Sequence, residues 1–304
     1  MTKTKRIDGP IKWHGGKSYL APQIVALMPP RCANPNNPAT NDSGWLHYVE
    51  PYFGGGAVLL ANDPEGISEV VNDRHSLLTN FWSVLRCSVL FPAFLRRAEA
   101  TPFAEEVFAA CLKCVQTMMQ AGEDEVRQQI ELAKEDDRVK AAWAFFVACR
   151  QSLSGRMDSF AGITRNRTRR AMNEQVSAWL NAIESLLAVH ARLQRVLIRN
   201  QPAIDVIAKE DGPRTLFYLD PPYLHETRAT TGEYQHEMTT EQHAELLAVL
   251  GSIKGRFLLS GYHSTMYDAV AQSQGWTCHQ FSLPNNSAGG KSKRRMIECI
   301  WQNW

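Results

Sequence analysis

Apolar and polar positions along this chain follow two different periods. Trp45-Leu46-His47-Tyr48-Val49 is a short apolar run that predicts a strand, and Ser68-Glu69-Val70-Val71 predicts a second. The segment from His75 to Leu85 reads as a helix. From about Phe91 to His190 the strand signals fade, and Ala, Leu, Glu, Gln and Arg dominate. Val139, Ala142, Trp143, Phe146 and Val147 there recur at helical spacing. Strand signals resume at Val196-Leu197-Ile198, Leu216 to Leu219, Phe257-Leu258-Leu259 and Met296 to Trp301. Helices fall between them, notably Thr240 to Leu250, which Thr239 or Thr240 can cap because Glu241 and Gln242 follow closely. Such alternation on both sides of a helical stretch predicts an α/β fold, a doubly wound, Rossmann-like sheet, mostly parallel, with a helical insert. The expected division is residues 1–90 with 195–304 as the core and 91–194 as the insert. The polar run Asn34 to Ser43 reads as an exposed loop.

Composition narrows the class only a little. The 304 residues are long enough for a full core, and 33 basic against 31 acidic residues leave a net charge of +2. That balance does not diagnose nucleic-acid binding, so any basic surface must come from local clustering. The start, Met1 to Arg6, is basic but no apolar stretch follows it as in a signal peptide, and no apolar run reaches the ~20 residues needed to span a bilayer. A cytoplasmic protein without a membrane partner is expected. Seven cysteines, an odd number without regular spacing, argue against a disulfide framework. Cys111-Leu112-Lys113-Cys114 has half the spacing of a zinc site, but no second close pair completes it, and no metal is expected.

Chemistry concentrates at three blocks. Asp220-Pro221-Pro222-Tyr223 follows the apolar run Leu216 to Leu219, which places a carboxylate, two rigid prolines and a ring at the carboxyl end of a strand. Ligands bind at that edge of open α/β sheets. Proline fixes its own φ and donates no backbone hydrogen bond, so the loop is stiff and its carbonyls are free to accept. A carboxylate and a fixed carbonyl can together receive both protons of an exocyclic amino group while the ring stacks on its base. The second block, Glu50-Pro51-Tyr52-Phe53-Gly54-Gly55-Gly56-Ala57, follows the first strand and precedes an apolar, helical stretch. Its glycines allow close backbone approach and positive φ, without the dinucleotide spacing. About twenty residues on, Asp73 sits just past the second strand, placed either to bind ribose hydroxyls or to cap the next helix. The third block is Lys12-Trp13-His14-Gly15-Gly16-Lys17, where Lys17 is able to pair with a carboxylate or, as a plain loop residue, to stay solvated.

These blocks, in their order along the chain, resemble the Dam-like N6-adenine DNA methyltransferases that use S-adenosylmethionine. The resemblance covers Ile11 to Leu20, Tyr48 to Leu60, Val70 to Trp82, Thr215 to Tyr223 and the closing strand with Glu298 and Trp301, and little of the insert. It implies that Trp13, Lys17, Phe53, Gly54, Gly55 and Gly56 line the cofactor and that Asp73 binds its ribose. Asp220, Pro221, Pro222 and Tyr223 would lie between cofactor and target adenine, the base being extruded from double-stranded DNA onto Tyr223. Asp220 and the Pro221 carbonyl would accept the amino protons during an in-line methyl transfer. A monomer is expected, with a cognate restriction endonuclease as a candidate partner.

The resemblance places target recognition in the insert. GATC-reading members carry an aromatic- and asparagine-containing hairpin there, whereas this chain has Ser154 to Gly162 and then Arg165-Asn166-Arg167-Thr168-Arg169-Arg170, so that specificity does not carry over. Arg165, Arg167, Arg169 and Arg170 form one candidate DNA contact. Lys291, Lys293, Arg294 and Arg295, after the polar stretch Asn285 to Gly290, form the other. Methylation of a cytosine or RNA amine by the same clamp is the alternative enzyme reading. The alternative from another class is a DNA-binding protein of this fold without catalysis.

Overall fold

The computed structural model describes residues 7–32, 44–224, 237–284 and 295–304. The Asn34 to Ser43 run, the Asn285 to Gly290 stretch and the cations Lys291, Lys293 and Arg294 lie outside the described residues. Compactness divides the chain into two units. One comprises Met1–Val25, Phe53–Pro64 and Asn72–Gln201; the other comprises Ala26–Tyr52, Glu65–Val71 and Pro202–Trp304.

Seven strands form one sheet: β1 (His47–Glu50), β2 (Ser68–Asn72), β5 (Val196–Arg199), β6 (Thr215–Leu219), β7 (Arg256–Gly261), β8 (Thr277–Pro284) and β9 (Arg295–Gln302), in the order β5-β2-β1-β6-β7-β9-β8. β1 runs parallel to β2 and β6, and β6 parallel to β7, while β9 is antiparallel to both β7 and β8. Strand order thus reverses at β1, whose sequence successor β2 lies on one side and β6 on the other. The crevice outside the carboxyl ends of β1 and β6 is the topological switch point. Every residue of β6 is buried, as expected of a central parallel strand with both faces covered.

In the second unit, one side of the strands packs Val49, Val70, Phe217, Leu219, Phe257, Leu259, Cys299 and Trp301 together. Helices α9 (Ala203–Glu210), α10 (Thr240–Leu250) and α11 (Thr265–Gln274) close that core with Val206, Ile207, Leu246, Leu247, Leu250, Tyr267 and Ala271. Helix α10 begins with the expected capping box: Thr239 Oγ1 accepts from Gln242 N at 3.3 Å and Gln242 Oε1 accepts from Thr239 N at 2.8 Å. Strand β8 has no sequence forerunner among the expected elements. Thr277-Cys278-His279-Gln280 offers no apolar alternation because β8 is an edge strand, and its pairing with β9 from Thr277↔Gln302 onward makes it a strand.

The first unit holds most of α1 (Ala21–Leu27), α2 (Ala57–Ala61), α3 (Ser76–Arg86), the insert helices α4 (Phe91–Glu99), α5 (Glu105–Met119), α6 (Glu123–Leu132), α7 (Glu135–Gln151) and α8 (Glu174–Leu193), and a hairpin of β3 (Thr168–Arg169) and β4 (Met172–Asn173). Aromatic rings weld α3 to the insert. Phe81 stacks on Phe146 at 5.9 Å, Phe94 meets both, and Trp179 lies 5.1 Å from Phe146. Trp179 Nε1 donates to the Thr101 carbonyl and Trp143 Nε1 to the Thr101 hydroxyl, so the polar ends of the rings are satisfied. Helix α7 buries ten of its residues, including Phe145 and Ala148 as well as Val139 and Phe146. Its stretch Ala141–Cys149 is apolar all round, as the central part of a buried helix must be; Trp143 of the expected stripe is only half-buried.

Phe146→Ala removes a fully buried ring from the centre of this cluster. The expected loss is about 3–5 kcal/mol of stability, measured by urea unfolding of the variant beside the parent.

Candidate active site

Because β1 and β6 are parallel neighbours in the register Val49↔Phe217, the two chains leave the sheet at one edge. Glu50 ends β1, and Pro51 and Tyr52 follow it; Asp220 and Pro221 follow β6. Asp220 is half-buried and Pro221 buried. Tyr223 is 6% exposed. Its hydroxyl donates to Glu298 Oε1 at 2.7 Å and lies 3.2 Å from Asp220 Oδ1. Its ring meets Tyr262 edge-on at 4.7 Å. Burial first, and the Asp220 and Glu298 carboxylates next, push the Tyr223 hydroxyl well above its ordinary pKa. The hydroxyl is therefore a proton donor, and Tyr223 is more than the stacking ring its sequence position suggests.

Two residues at this edge escaped the sequence reading of the site. Tyr262 directly follows β7, also parallel to β6, and its signal is an aromatic just beyond the apolar run Phe257 to Leu259. Glu50 is 1% exposed and accepts from Tyr48 Oη at 2.7 Å. Burial, then Glu50, raises the Tyr48 pKa. Its signal was a carboxylate at the end of an apolar strand.

The glycine block belongs to the first unit and is held from several sides. Phe53 N donates to the Asn72 carbonyl at 2.8 Å and Gly56 N to the Phe53 carbonyl at 2.9 Å. Gly54 N donates to Asp73 Oδ2 at 2.8 Å, while Trp82 Nε1 donates to the Gly54 carbonyl at 3.0 Å. The glycines serve the protein's own rings. A Cβ on Gly54 would lie 2.8 Å from Trp13 Nε1, one on Gly55 2.8 Å from Trp13 Cβ, and one on Gly56 2.7 Å from Phe53 Cζ. Gly54 and Gly56 also take φ of +50° and +69°, the left-handed region that other residues occupy at a cost.

Asp73 ties the glycine block to the start of α3. Besides Gly54 N it accepts from His75 N at 3.0 Å, the residue just before α3. Lys17 is 4% exposed and donates to the Gly15 carbonyl at 3.0 Å, so the solvated reading of this lysine is wrong. His75, also missed, packs between Trp13 at 6.1 Å and Phe145 at 5.4 Å. Phe145 comes from α7, so the insert helps to wall the Trp13 ring.

The cations of the insert divide into two kinds. Arg170 and Ala171 form the tip of the β3–β4 hairpin, both with positive φ, the conformation of a tight two-residue turn. A hairpin therefore does exist here, with Arg and Ala at its tip. Arg170 folds back onto α8, making bonds to Glu184 at 3.0 and 3.2 Å and a further one to Asn181. Arg167 lies 3.8 Å from Glu174. Arg165 and Arg169 are exposed, with no ion-pair partner among the described residues. Arg295 opens β9.

All seven cysteines are free thiols, and burial pushes Cys111 up to about 12. His263, Cys278 and Cys299 bring their ligand atoms within 4.8 Å of one another. Both imidazole nitrogens are already engaged, Nδ1 by Asp268 at 2.8 Å and Nε2 by Gln280 at 3.0 Å. No single helix among the described residues is long and apolar enough to cross a membrane.

A family model for D12 class N6 adenine-specific DNA methyltransferases matches residues 13–283, most of the chain, and the chain belongs to that family. It is thus an adenine-specific DNA methyltransferase that draws on an S-adenosylmethionine-type donor. No curated protein matches the chain.

Gly54→Ala would force a left-handed backbone and a clash with Trp13. A loss of about 1–3 kcal/mol is expected from the strain alone. Thermal unfolding followed by tryptophan fluorescence would register both the loss and the displaced Trp13 ring.

Proposed function

We propose that this protein transfers a methyl group from S-adenosylmethionine to the N6 amino group of an adenine extruded from double-stranded DNA. The observation that carries the reading is the half-buried Asp220 with two prolines behind it, at the carboxyl end of β6 and beside the end of β1. Asp73 offers acceptors for ribose hydroxyls, Trp13 and Phe53 offer aromatic faces to a sulfonium, and buried Lys17 offers an ammonium to a carboxylate. These groups fit the chemistry of the donor, whose sulfonium supplies an electrophilic methyl.

The adenine amino nitrogen is a poor nucleophile because its lone pair is conjugated with the ring. Asp220 and the Pro221 carbonyl accept its two N–H bonds, which favours a pyramidal nitrogen with its lone pair toward the methyl. Transfer is then an in-line displacement in which positioning and electrostatics do most of the acceleration. Asp220 takes the proton as the product ammonium forms. Tyr223 contributes its ring as the wall beside the flipped base. Asp220 as the first residue of this loop supports adenine over cytosine as the target.

Residues 91–194 are proposed as the target-recognition insert, with Arg165 and Arg169 reaching phosphates. Arg170 and Arg167 are engaged with α8 and shape the hairpin.

Asp220→Ala is expected to lose about 10²–10⁴ in turnover, measured as methyl transfer from labelled donor to DNA, with circular dichroism confirming the fold. Retention of more than about a tenth of parental turnover, far above that range, would sink the clamp.

The Arg165→Ala, Arg169→Ala double variant should bind DNA more weakly, with a salt dependence flatter by about 0.9 log units for each phosphate no longer neutralised. Cofactor affinity should stay as it was. An unchanged slope and affinity would make these two arginines plain solvated surface.

A further inference from the structure

His263, Cys278 and Cys299 stand on three parts of the second unit: the segment just after β7, strand β8 and strand β9. Cys278 pairs with Trp301 and Gln280 with Cys299. Direct partners, and residues two apart on one strand, share a face. Both thiols and the Gln280 amide therefore lie on one side of the strand pair. Helix α11 packs on that side, with Tyr267 5.2 Å from Trp301 and Asp268 2.8 Å from His263 Nδ1. The two thiols are hydrogen-bonded to each other, and the His263 backbone N–H donates to the Cys299 sulfur. His263 is exposed, Cys278 half-buried and Cys299 buried, so the cluster opens to solvent on the histidine side.

We propose that His263 Nε2, Cys278 Sγ and Cys299 Sγ bind one zinc ion, with Asp268 orienting the imidazole. An ionised carboxylate only accepts, so Asp268 holds the ring proton on Nδ1 and leaves the lone pair on Nε2. Gln280 on β8 donates to Nε2 at 3.0 Å, which turns that nitrogen toward the strand pair that carries the thiols. A carboxylate on the far ring nitrogen is the usual support of a zinc-bound histidine. The ligand atoms already lie within 4.8 Å of one another. Zinc bonds of about 2.3 Å to sulfur and about 2.0 Å to nitrogen require roughly 3.5–3.8 Å between ligands. Side-chain rotation closes that difference as the Gln280 amide withdraws. Two sulfurs and an imidazole suit zinc, whereas magnesium and calcium require oxygen. As diagonal neighbours, roughly 7–8 Å apart along the backbone, the two cysteines are better placed to share an ion than to form a disulfide. Two S–Zn bonds form as two thiol protons leave to solvent, and water takes the fourth position. The site is structural: His263 follows Tyr262, whose ring meets Tyr223, so the ion would brace that wall without entering methyl transfer.

The test takes the full chain, strips it with a chelator under reducing conditions, dialyses it against zinc and measures the metal retained. One zinc per chain is expected, and cobalt(II) in its place should show the sulfur-to-metal charge-transfer absorption of a tetrahedral thiolate site. Cys278→Ser and His263→Ala should each lose the zinc in dialysis, with circular dichroism confirming the fold. The Cys111→Ser, Cys114→Ser double variant removes the other close thiol pair and should keep the zinc. Asp268→Asn should weaken zinc binding about 10–100-fold. A parent chain that retains no zinc would overturn the proposal. Zinc retained in both Cys278→Ser and His263→Ala, or lost only in the Cys111→Ser, Cys114→Ser variant, would do the same. Should Cys278→Ser fail to fold, His263→Ala decides, because that side chain is exposed.

Discussion

The parallel pairing of β1 with β6 is the constraint on which the rest of this structure hangs. Tyr48↔Leu216 and Val49↔Phe217 lock the two strands in register, so both chains leave the sheet at one level. The side-chain period of a strand is two, and a one-residue slip would turn Phe217 and Leu219 out of the core that they share with Phe257 and Trp301. Hydrophobic burial therefore fixes where Asp220 sits. The two prolines keep it there without asking the sheet for hydrogen bonds.

Rings, more than the backbone, decide the shape of the glycine segment. Trp13 lies where side chains at Gly54 and Gly55 would be, and Phe53 occupies the space beside Gly56. Asp73 and Trp82 then hold the two backbone polar groups of Gly54, one its N–H and the other its carbonyl. A loop with so little side chain of its own would otherwise be loose, because glycine gives up the most conformational freedom on ordering. Here aromatic packing and four hydrogen bonds impose the order.

Buried ionisable groups mark the carboxyl edge of the second unit. Glu50 and Glu298 are almost wholly removed from water, and each accepts a tyrosine hydroxyl at 2.7 Å. The pairing satisfies one acceptor of each carboxylate and raises the pKa of each tyrosine, with burial the larger cause. Tyrosine suits this task, since it fills volume as an apolar ring and presents one polar atom at its tip.

The sequence alone determined the local devices. A continuous apolar run made β6, Thr239 and Gln242 made a capping box, and Asp-Pro-Pro-Tyr made a stiff acceptor loop, because each depends on neighbours within a few residues. Repeated strand and helix signals, with four motif blocks in one order, were enough for the fold class and the family. Contacts between distant segments were decided only by tertiary structure. Tyr223 finds Glu298 seventy-five residues away, and Trp13 fills the space over glycines that lie beyond α1 and β1 in the chain. Arg170 is an exposed cation like its neighbours, and only the fold shows that α8 pairs it with Glu184. Edge strand β8 shows no apolar alternation over Thr277 to Gln280, since an edge needs none, and becomes a strand through β9. Local patterns state what a segment prefers, whereas the partner that satisfies a buried polar atom or fills a missing Cβ is chosen by packing.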